Sequence, residues 1–315
     1  NTQALGRLKR SVLVTSTGAS TRIEGAKLSD EDIEKFMRGL SLKKFADRDK
    51  QEVQGYFELL ENVLTSWKHI PFTEGVIKQL HRELLKYADK DERHRGEYKK
   101  TENSVEMFDT SGESLGAIFE TTPAYLTPKR MEDVVGWAGY ALRYEEHHPL
   151  LIIGNFLVEF LAVHPFQDGN GRLSRILTNL LLLKAGYEYV PYVSHEKLVE
   201  DNKSDYYVAL RRSQATFGTE HESIVPWLEF FLNISLKQAK QAIELLSHEN
   251  IEKILSPKQL AVWQYLETVD EATAGDIAKT TNVARPTVSQ AIDVLLRLKK
   301  IERIGQGRTT RYRKI

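Results

Sequence analysis

One short stretch, His164-Pro-Phe-Gln-Asp-Gly-Asn-Gly-Arg172-Leu-Ser-Arg175, holds a titratable base, a carboxylate, two glycines around an asparagine and two arginines. Moving part of a nucleotide onto another group requires that inventory. His164 titrates near neutral pH and can take the proton of an attacking hydroxyl. Asp168 can hold Mg²⁺, which usually binds one or two carboxylates and completes its shell with substrate phosphates. Gly169, Asn170 and Gly171 open a helix whose first N–H groups have no partner inside it. Glycine lets an anion come close, and the helix dipole adds positive potential there. Arg172 and Arg175 are three apart, so they share one side of that helix, and their planar forks suit phosphate oxygens. Alone, a histidine before proline is usually structural and Asp-Gly-Asn-Gly is most often a turn. The joint pattern is what points to chemistry.

The elements that must position this loop are apolar runs on either side, Leu150 to Val163 and Leu173 to Leu183. Both read as buried helices, the second running from Asn170 to Ala185 with Gly186 as its C-cap. Helical spacing also covers Asp49 to Trp67, Thr73 to Tyr87, Pro128 to Glu146 and Ile224 to roughly Glu252. Leu28 to Met37 is a helix capped by Ser29 or Asp30. His147-His148-Pro149 looks like a metal cluster but is a better helix start, because proline suits a first turn.

With those residues in place, His-Pro-Phe-x-Asp-Gly-Asn-Gly-Arg-x-x-Arg, read from His164 to Arg175, resembles the core motif of Fic-domain proteins without departure. The resemblance implies a mainly helical fold and transfer of AMP from ATP to a hydroxyl side chain of a target protein, which can be the chain itself. It implies His164 as general base and Asp168 as the Mg²⁺ ligand. It implies Gly169, Asn170, Gly171 and Arg172 as the phosphate cradle, with Arg175 on the γ-phosphate. Kinase-type relatives carry lysine at the second motif glycine. Gly171 is intact here, which favours AMP transfer over phosphoryl transfer.

Ser20-Thr-Arg-Ile-Glu24-Gly25 resembles the inhibitory motif Ser/Thr-x-x-x-Glu-Gly/Asn of many Fic proteins. In those relatives the glutamate pairs with the second motif arginine, here Arg175, and displaces the γ-phosphate. One guanidinium fork cannot serve a carboxylate and a phosphate equally at once. Read without the resemblance, Ser20 or Thr21 caps a short helix and Glu24 is a first-turn acid. Ser20 and Glu24 are therefore the expected regulatory pair.

Arg95-Gly-Glu-Tyr98 followed by Gly116-Ala-Ile-Phe-Glu-Thr-Thr-Pro123 reads as a short hairpin. Fic proteins hold a flap here that aligns the target by strand addition, which points to Ala117, Ile118 and Phe119. The family's Tyr-Tyr pair matches Tyr206-Tyr207. The resemblance puts Tyr206 near the adenine, with Gln214 further along the same helix. A tyrosine pair packing on the core is the ordinary alternative.

The chain has 315 residues, 44 Lys+Arg, 44 Asp+Glu and no cysteine. Net charge is zero, so no global polyanion signature exists, and neither a disulfide framework nor a cysteine zinc site is open to it. No N-terminal apolar leader and no membrane-spanning run appear, and a reducing cytoplasm is the expected location. The sequence starts at Asn1, which leaves room for an upstream segment. From Ser256 on, eleven Lys and Arg stand against six Asp and Glu. The order there is helix (Lys258 to Leu266), helix (Thr273 to Lys279), turn at Asn282, helix (Pro286 to Leu298), then two strands around Gly305-Gln-Gly307. That order resembles a winged helix-turn-helix, with Gly305, Gly307 and Arg308 at the wing tip and Arg311 and Arg313 behind it. Such domains bind DNA or serve only protein contacts.

The expected fold class is mainly α: a Fic-type helical core with a short β-hairpin flap and a C-terminal winged helix-turn-helix domain. The expected domains are an N-terminal helical region with the inhibitory motif (1–95), a catalytic core (96–255) and the winged unit (256–315). The expected function is protein adenylylation from ATP with Mg²⁺, autoinhibited by Glu24. The alternatives are removal of AMP, with Glu24 activating water, and a nucleotide-sensing DNA-binding transcriptional regulator. Relatives often dimerise, so a homodimer is an allowed assembly.

Overall fold

The computed structural model describes residues 2–39, 47–108, 114–145, 147–246, 255–298, 300–305 and 310–315; of 2–4, 104–108, 114–120, 246 and 297 it describes the backbone alone. The chain divides into two compact units. One runs from Leu8 to Ala242, and the other comprises Ile243–Ile315 with the first seven residues.

The larger unit is helical. Its centre is α6 (Pro149–Val163) and α7 (Asn170–Lys184), the helices on either side of the motif loop. Every residue of α7 from Arg172 to Leu183 is buried, as are Ile152, Ile153, Phe156, Leu157, Val158, Phe160, Leu161 and Val163 of α6. α6 is apolar nearly all round, as a helix inside a protein is, whereas α7 takes polar side chains into the interior with it. Around this pair lie α1 (Thr2–Ile23), α2 (Asp30–Met37), α3 (Asp47–Ser66), α4 (Glu74–Leu84), α5 (Thr127–Tyr144), α8 (His195–Asp201), α9 (Lys203–Gln214) and α10 (Val225–Leu246). The caps follow the residue chemistry. Ser29 forms a capping box with Asp32, Thr73 accepts from the Val76 N–H, and Ser194 accepts from the Lys197 N–H. Tyr56, Phe57, Leu59, Leu60 and Val63 of α3 face the core at the expected helical spacing.

The hairpin differs from the sequence expectation. Its strands are β1 (Ser104–Phe108) and β2 (Ser114–Glu120), antiparallel, with Val105 opposite Phe119 and Glu106 opposite Ala117. Arg95–Tyr98 is not its first strand. Gly96, at φ +73°, turns there, and its N–H goes to a histidine ring instead of a neighbouring strand. Ala117, Ile118 and Phe119 do lie on β2, although their side chains fall outside the described residues.

The smaller unit contains α11 (Pro257–Glu267), α12 (Ala274–Thr281), α13 (Arg285–Arg297) and a hairpin of β3 (Ile301–Ile304) with β4 (Arg311–Lys314). Ser256 and Thr273 close capping boxes, and Asn282 at φ +54° ends α12. Val262, Trp263, Leu266, Ile277, Val288, Ala291 and Leu295 make its own core. The expected wing-tip residues Gly307 and Arg308 lie outside the described residues. Among the described residues no helix is long and apolar enough to cross a membrane.

Gly55 is where α3 crosses α4 most closely: a Cβ there would collide with the Leu84 carbonyl oxygen. Backbone cannot yield as a side chain can. Gly55→Ala is expected to destabilise the larger unit by about 1–3 kcal/mol, the usual cost of overpacking. Urea denaturation measures it, and an unchanged midpoint would contradict the close approach.

Candidate active site

Two helix ends build the site. His164 ends α6 in the left-handed region, at φ +49°, with its N–H on the Phe160 carbonyl. Pro165 then prevents continuation. Gly169, at φ +81°, starts α7. Between them Phe166 is fully buried and acts as the loop's anchor. Asn170 fixes that anchor twice. Its Oδ1 accepts from the Phe166 N–H at 2.9 Å, and its Nδ2 donates to the Phe166 carbonyl at 2.7 Å. The Asn170 side chain is thus spent on the loop, and what it can offer an anion is its backbone N–H in the first turn of α7.

His81 of α4 braces the same loop and was not singled out from sequence. Its ring stacks on Phe166 at 3.8 Å between centroids. Its Nδ1 accepts from the Gly96 N–H at 2.9 Å, so the proton sits on Nε2, which donates to the Asp168 carbonyl at 2.9 Å. Its only sequence signal is a histidine on the apolar face of α4, beside Ile77, Leu80 and Leu84.

Asp168 belongs to a ring of alternating charges. Arg172 Nη2 lies 2.9 Å from Asp168 Oδ2, and Arg172 Nη1 lies 3.0 Å from Glu52 Oε2. Arg48 closes the ring, with Nε 2.7 Å from Glu52 Oε1 and Nη2 3.5 Å from Asp168 Oδ2. The other Asp168 oxygen accepts from the Gly169 N–H. Burial works to raise the Asp168 carboxyl, but Arg172 and the Gly169 N–H outweigh it and hold the group below its ordinary range. It remains an anion with part of its side chain exposed, which suits a single-carboxylate Mg²⁺ anchor. Among the described residues no cluster of three or more His, Asp or Glu competes with it. Arg172 is only 2% exposed, and its Nε has no hydrogen-bond partner among the described residues.

The second motif arginine meets the N-terminal helix. Arg175 is 3% exposed. Its Nη2 donates to Glu24 Oε1 at 2.6 Å and to the Ser20 carbonyl at 3.1 Å, while Nε donates to the Ser20 hydroxyl at 2.7 Å. Burial works against this charge, yet Glu24 more than offsets it and the guanidinium is held above its ordinary pKa. Arg175 Nη1 is buried without a hydrogen-bond partner among the described residues. The Glu24 carboxylate also lies against Gly171 in the first turn of α7, so closely that a Cβ at Gly171 would collide with it.

Glu24 gets there through the way α1 ends. Glu24 is neither a first-turn acid nor part of a short helix. It follows the last residue of a 22-residue helix. The Ala26 N–H reaches the Thr21 carbonyl and the Gly25 N–H reaches the Arg22 carbonyl, a Schellman closure with Gly25 at φ +101°. A carboxylate at a helix C-terminus is locally unfavourable, whereas one at a helix N-terminus is favourable. Glu24 leaves the first for the second. Arg22 pins the same turn, with Nε 2.6 Å from Glu200 of α8 and Nη1 2.9 Å from Asp30.

The remaining expected residues are placed differently from one another. Tyr206 is 5% exposed and packs with Tyr207, Trp227 and Phe230 behind Arg175. Burial, partly countered by Arg175, raises its hydroxyl to about 12. Tyr207 is the more exposed of the pair. Gln214 is not in the site. It is buried, and its Nε2 donates to the Val158 carbonyl of α6.

Burial first, then Lys99, pushes the His164 imidazole down to about 4, against the pull of the Leu161 carbonyl, Glu24 and Asp168. His81 and His195, both almost fully buried, are also pushed down to about 4, chiefly by burial. For these two the folded state binds fewer protons than the unfolded one between pH 6.5 and 4. Stability is therefore full above the unfolded value and is lost as pH falls towards the folded one. Each should cost on the order of 2 kcal/mol at about pH 5. A urea midpoint that falls between pH 7 and 5 is expected, and a His81→Gln variant should lose part of that dependence. A flat midpoint would contradict neutral burial.

The sequence profile of the Fic/DOC family matches residues 71–182. A probable protein adenylyltransferase of Aquifex aeolicus (strain VF5) is 28% identical over 158 residues, which is 47% of this chain and 48% of that one. Protein adenylyltransferase fic-1 of Caenorhabditis elegans is 26% identical over 213 residues, 66% of this chain and 38% of its own length. The chain thus spans less than half the length of these curated relatives. A crystal structure of a Fic family protein from Desulfovibrio desulfuricans G20 superposes with a TM-score of 0.63 at 23% identity, covering 98% of this chain and 88% of that chain. At that identity the likeness concerns the fold. Residues 71–182 thus match the Fic/DOC family profile, and the chain shares its fold with a solved Fic family protein.

Proposed function

We propose that the protein transfers AMP from ATP to a hydroxyl side chain of a target protein, and that Glu24 holds it in a resting state. The observation that carries this reading is the meeting of Glu24, Gly171 and Arg175 at the start of α7. An anion already sits where helix potential, a missing Cβ and a buried guanidinium converge. The unpartnered Nε of Arg172 and Nη1 of Arg175 fit further anionic oxygen.

In the proposed reaction the target hydroxyl oxygen bonds to the α-phosphorus, and the bond from that phosphorus to the pyrophosphate oxygen breaks. His164 accepts the hydroxyl proton. Its depressed pKa keeps it unprotonated at neutral pH, as a base must be. The first N–H groups of α7 and Arg175 hold the triphosphate oxygens. Arg172 holds Asp168 and presents its Nε. Asp168 is the residue that would hold Mg²⁺, which when bound neutralises charge on the phosphates. Tyr206 acts from behind Arg175, and the adenine is assigned to the space beside the Tyr206–Tyr207 pair. The two-stranded β1–β2 sheet offers an edge for an extended target segment, with Ala117, Ile118 and Phe119 on β2.

AMP removal with Glu24 as base is less favoured, since a carboxylate held by Arg175 is a weakened base. The smaller unit has the helix and hairpin order of a winged helix-turn-helix. DNA contact is also less favoured. Arg311, Arg313 and Lys314 are paired with Glu271, Glu302 and Glu267, which reduces the free positive charge that phosphate contacts need.

With MgATP, Glu24→Gly is expected to add AMP to itself or to lysate proteins, read by intact mass, where the parent adds little. His164→Ala in that background should lower transfer by about 10²–10⁴-fold. Near-normal labelling by the double variant would remove His164 from the mechanism. Arg175→Ala should lower transfer with or without Glu24, so the two changes should not be additive. The acid limb of the rate profile should fall well below 6.5, because the His164 pKa is depressed.

A further inference from the structure

Five consecutive carbonyls end α6 and enter the motif loop, and all five accept hydrogen bonds from the base of the β1–β2 hairpin. The Ala162 carbonyl takes the Thr122 N–H at 3.3 Å, and the Pro165 carbonyl takes the Lys99 N–H at 2.8 Å. The Val163 carbonyl takes Lys99 Nζ at 3.1 Å. The His164 and Phe166 carbonyls take Asn103 Nδ2 at 3.3 and 2.9 Å. The last carbonyls of a helix have no partner within it, and a cation there also meets the negative end of the dipole. The hairpin base supplies both.

Lys99 is the centre of this arrangement. It is only 3% exposed, and its ammonium has three acceptors: Val163 O, Asn103 Oδ1 at 2.8 Å and Thr121 Oγ1 at 2.9 Å. Asn103 lies just before β1 and Thr121 just after β2, so one side chain grips both feet of the hairpin. The Thr121 hydroxyl then donates to Asn103 O and Oδ1, which closes the joint. Burial lowers the Lys99 pKa to about 8, which is the cost of placing a cation here. No ion pair of Lys99 with a carboxylate occurs among the described residues. The Glu102 carboxylate acts on it without touching it, and the negative end of α6 adds to that.

We propose that Lys99 is a positioning residue that fixes the hairpin to the backbone on either side of His164, at Val163 and Pro165, so that a segment bound on the hairpin edge meets the imidazole in one register. This rests on the transfer reading above, but the joint itself does not depend on it. A long, unbranched cation suits the task. It reaches past the hairpin feet to a helix end, and its donors can satisfy three acceptors at once. A neutral side chain of equal length leaves all three buried acceptors without that donor.

The test is Lys99→Met in the Glu24→Gly protein, with Thr121→Val as a milder variant that removes one acceptor. Hydrogen exchange is followed over 104–108, 114–120 and 163–167, beside ATP affinity and the rate of AMP labelling. Exchange should rise in the hairpin and in 163–167 together. Labelling should fall about tenfold or more through kcat, while ATP affinity changes by less than about twofold, as expected when a reacting group is misplaced and not lost. Thr121→Val should shift both readouts in the same direction by less, and it carries the test if Lys99→Met does not fold. Exchange rising in only one of the two segments, or in neither, would overturn the proposal. So would a labelling loss that follows ATP affinity alone. If the Glu24→Gly protein adds no AMP at all, the transfer reading fails, and the exchange measurement still decides the joint.

Discussion

Arg175 carries a full charge into an almost solvent-free position, and a buried guanidinium must be matched by an anion. Two requirements follow. The matching group must reach the first turn of α7, and it must do so without a side chain at Gly171 in the way. Glu24 meets both because α1 ends one residue before it, in a turn that needs glycine at position 25. The energetics are lopsided. Loss of one partner from a buried pair leaves the other uncompensated, at a cost of about 3–5 kcal/mol where burial is complete. Glu24 keeps about a third of its side-chain surface, so its departure is easier than that of a buried partner. On the proposed function, an incoming phosphate would satisfy the same arginine. The pair is therefore both a structural necessity and an exchangeable contact.

The rest of the site keeps that exchange local. Asp168 is held by Arg172, Arg48, Gly169 and, through its carbonyl, His81. Asn170 holds Phe166, and the hairpin base holds the carbonyls around His164. None of these contacts involves Glu24. On the proposed function, the motif loop can keep its shape whether Arg175 faces a carboxylate or a phosphate. Such preorganisation is what electrostatic catalysis needs.

The motif loop was legible in the sequence because its chemistry is local: residue types at fixed short spacing, between two apolar runs. The pairing of Glu24 with Arg175 was legible only through the resemblance, since nothing in spacing joins residues so far apart. What stayed hidden has a common physical cause. His81, Glu52, Arg48 and Lys99 act through contacts made across the fold, and a polar residue on a helix face or in a loop gives no sign of its partner. Gln214 illustrates the converse, a polar residue expected beside nucleotide that instead donates into the core. The first hairpin strand, Ser104–Phe108, was missed although Ser104-Val-Glu-Met alternates, because the run is too short to stand out beside the glycine-bearing stretch Arg95–Tyr98. The excess of Lys and Arg in the tail gave no sign that Arg311, Arg313 and Lys314 find carboxylates on the small hairpin, at the end of α11 and in the loop after it.

On the proposed function, Glu24 and a terminal phosphate compete for Arg175. The most direct measurement is the affinity of the parent and Glu24→Gly proteins for ATP and for ADP, by calorimetry in Mg²⁺. The two nucleotides should bind the parent almost equally, because the arginine is taken. Loss of Glu24 should strengthen ATP over ADP by about tenfold or more, in line with one charge-assisted contact regained. An ATP preference that is the same in both proteins would contradict it.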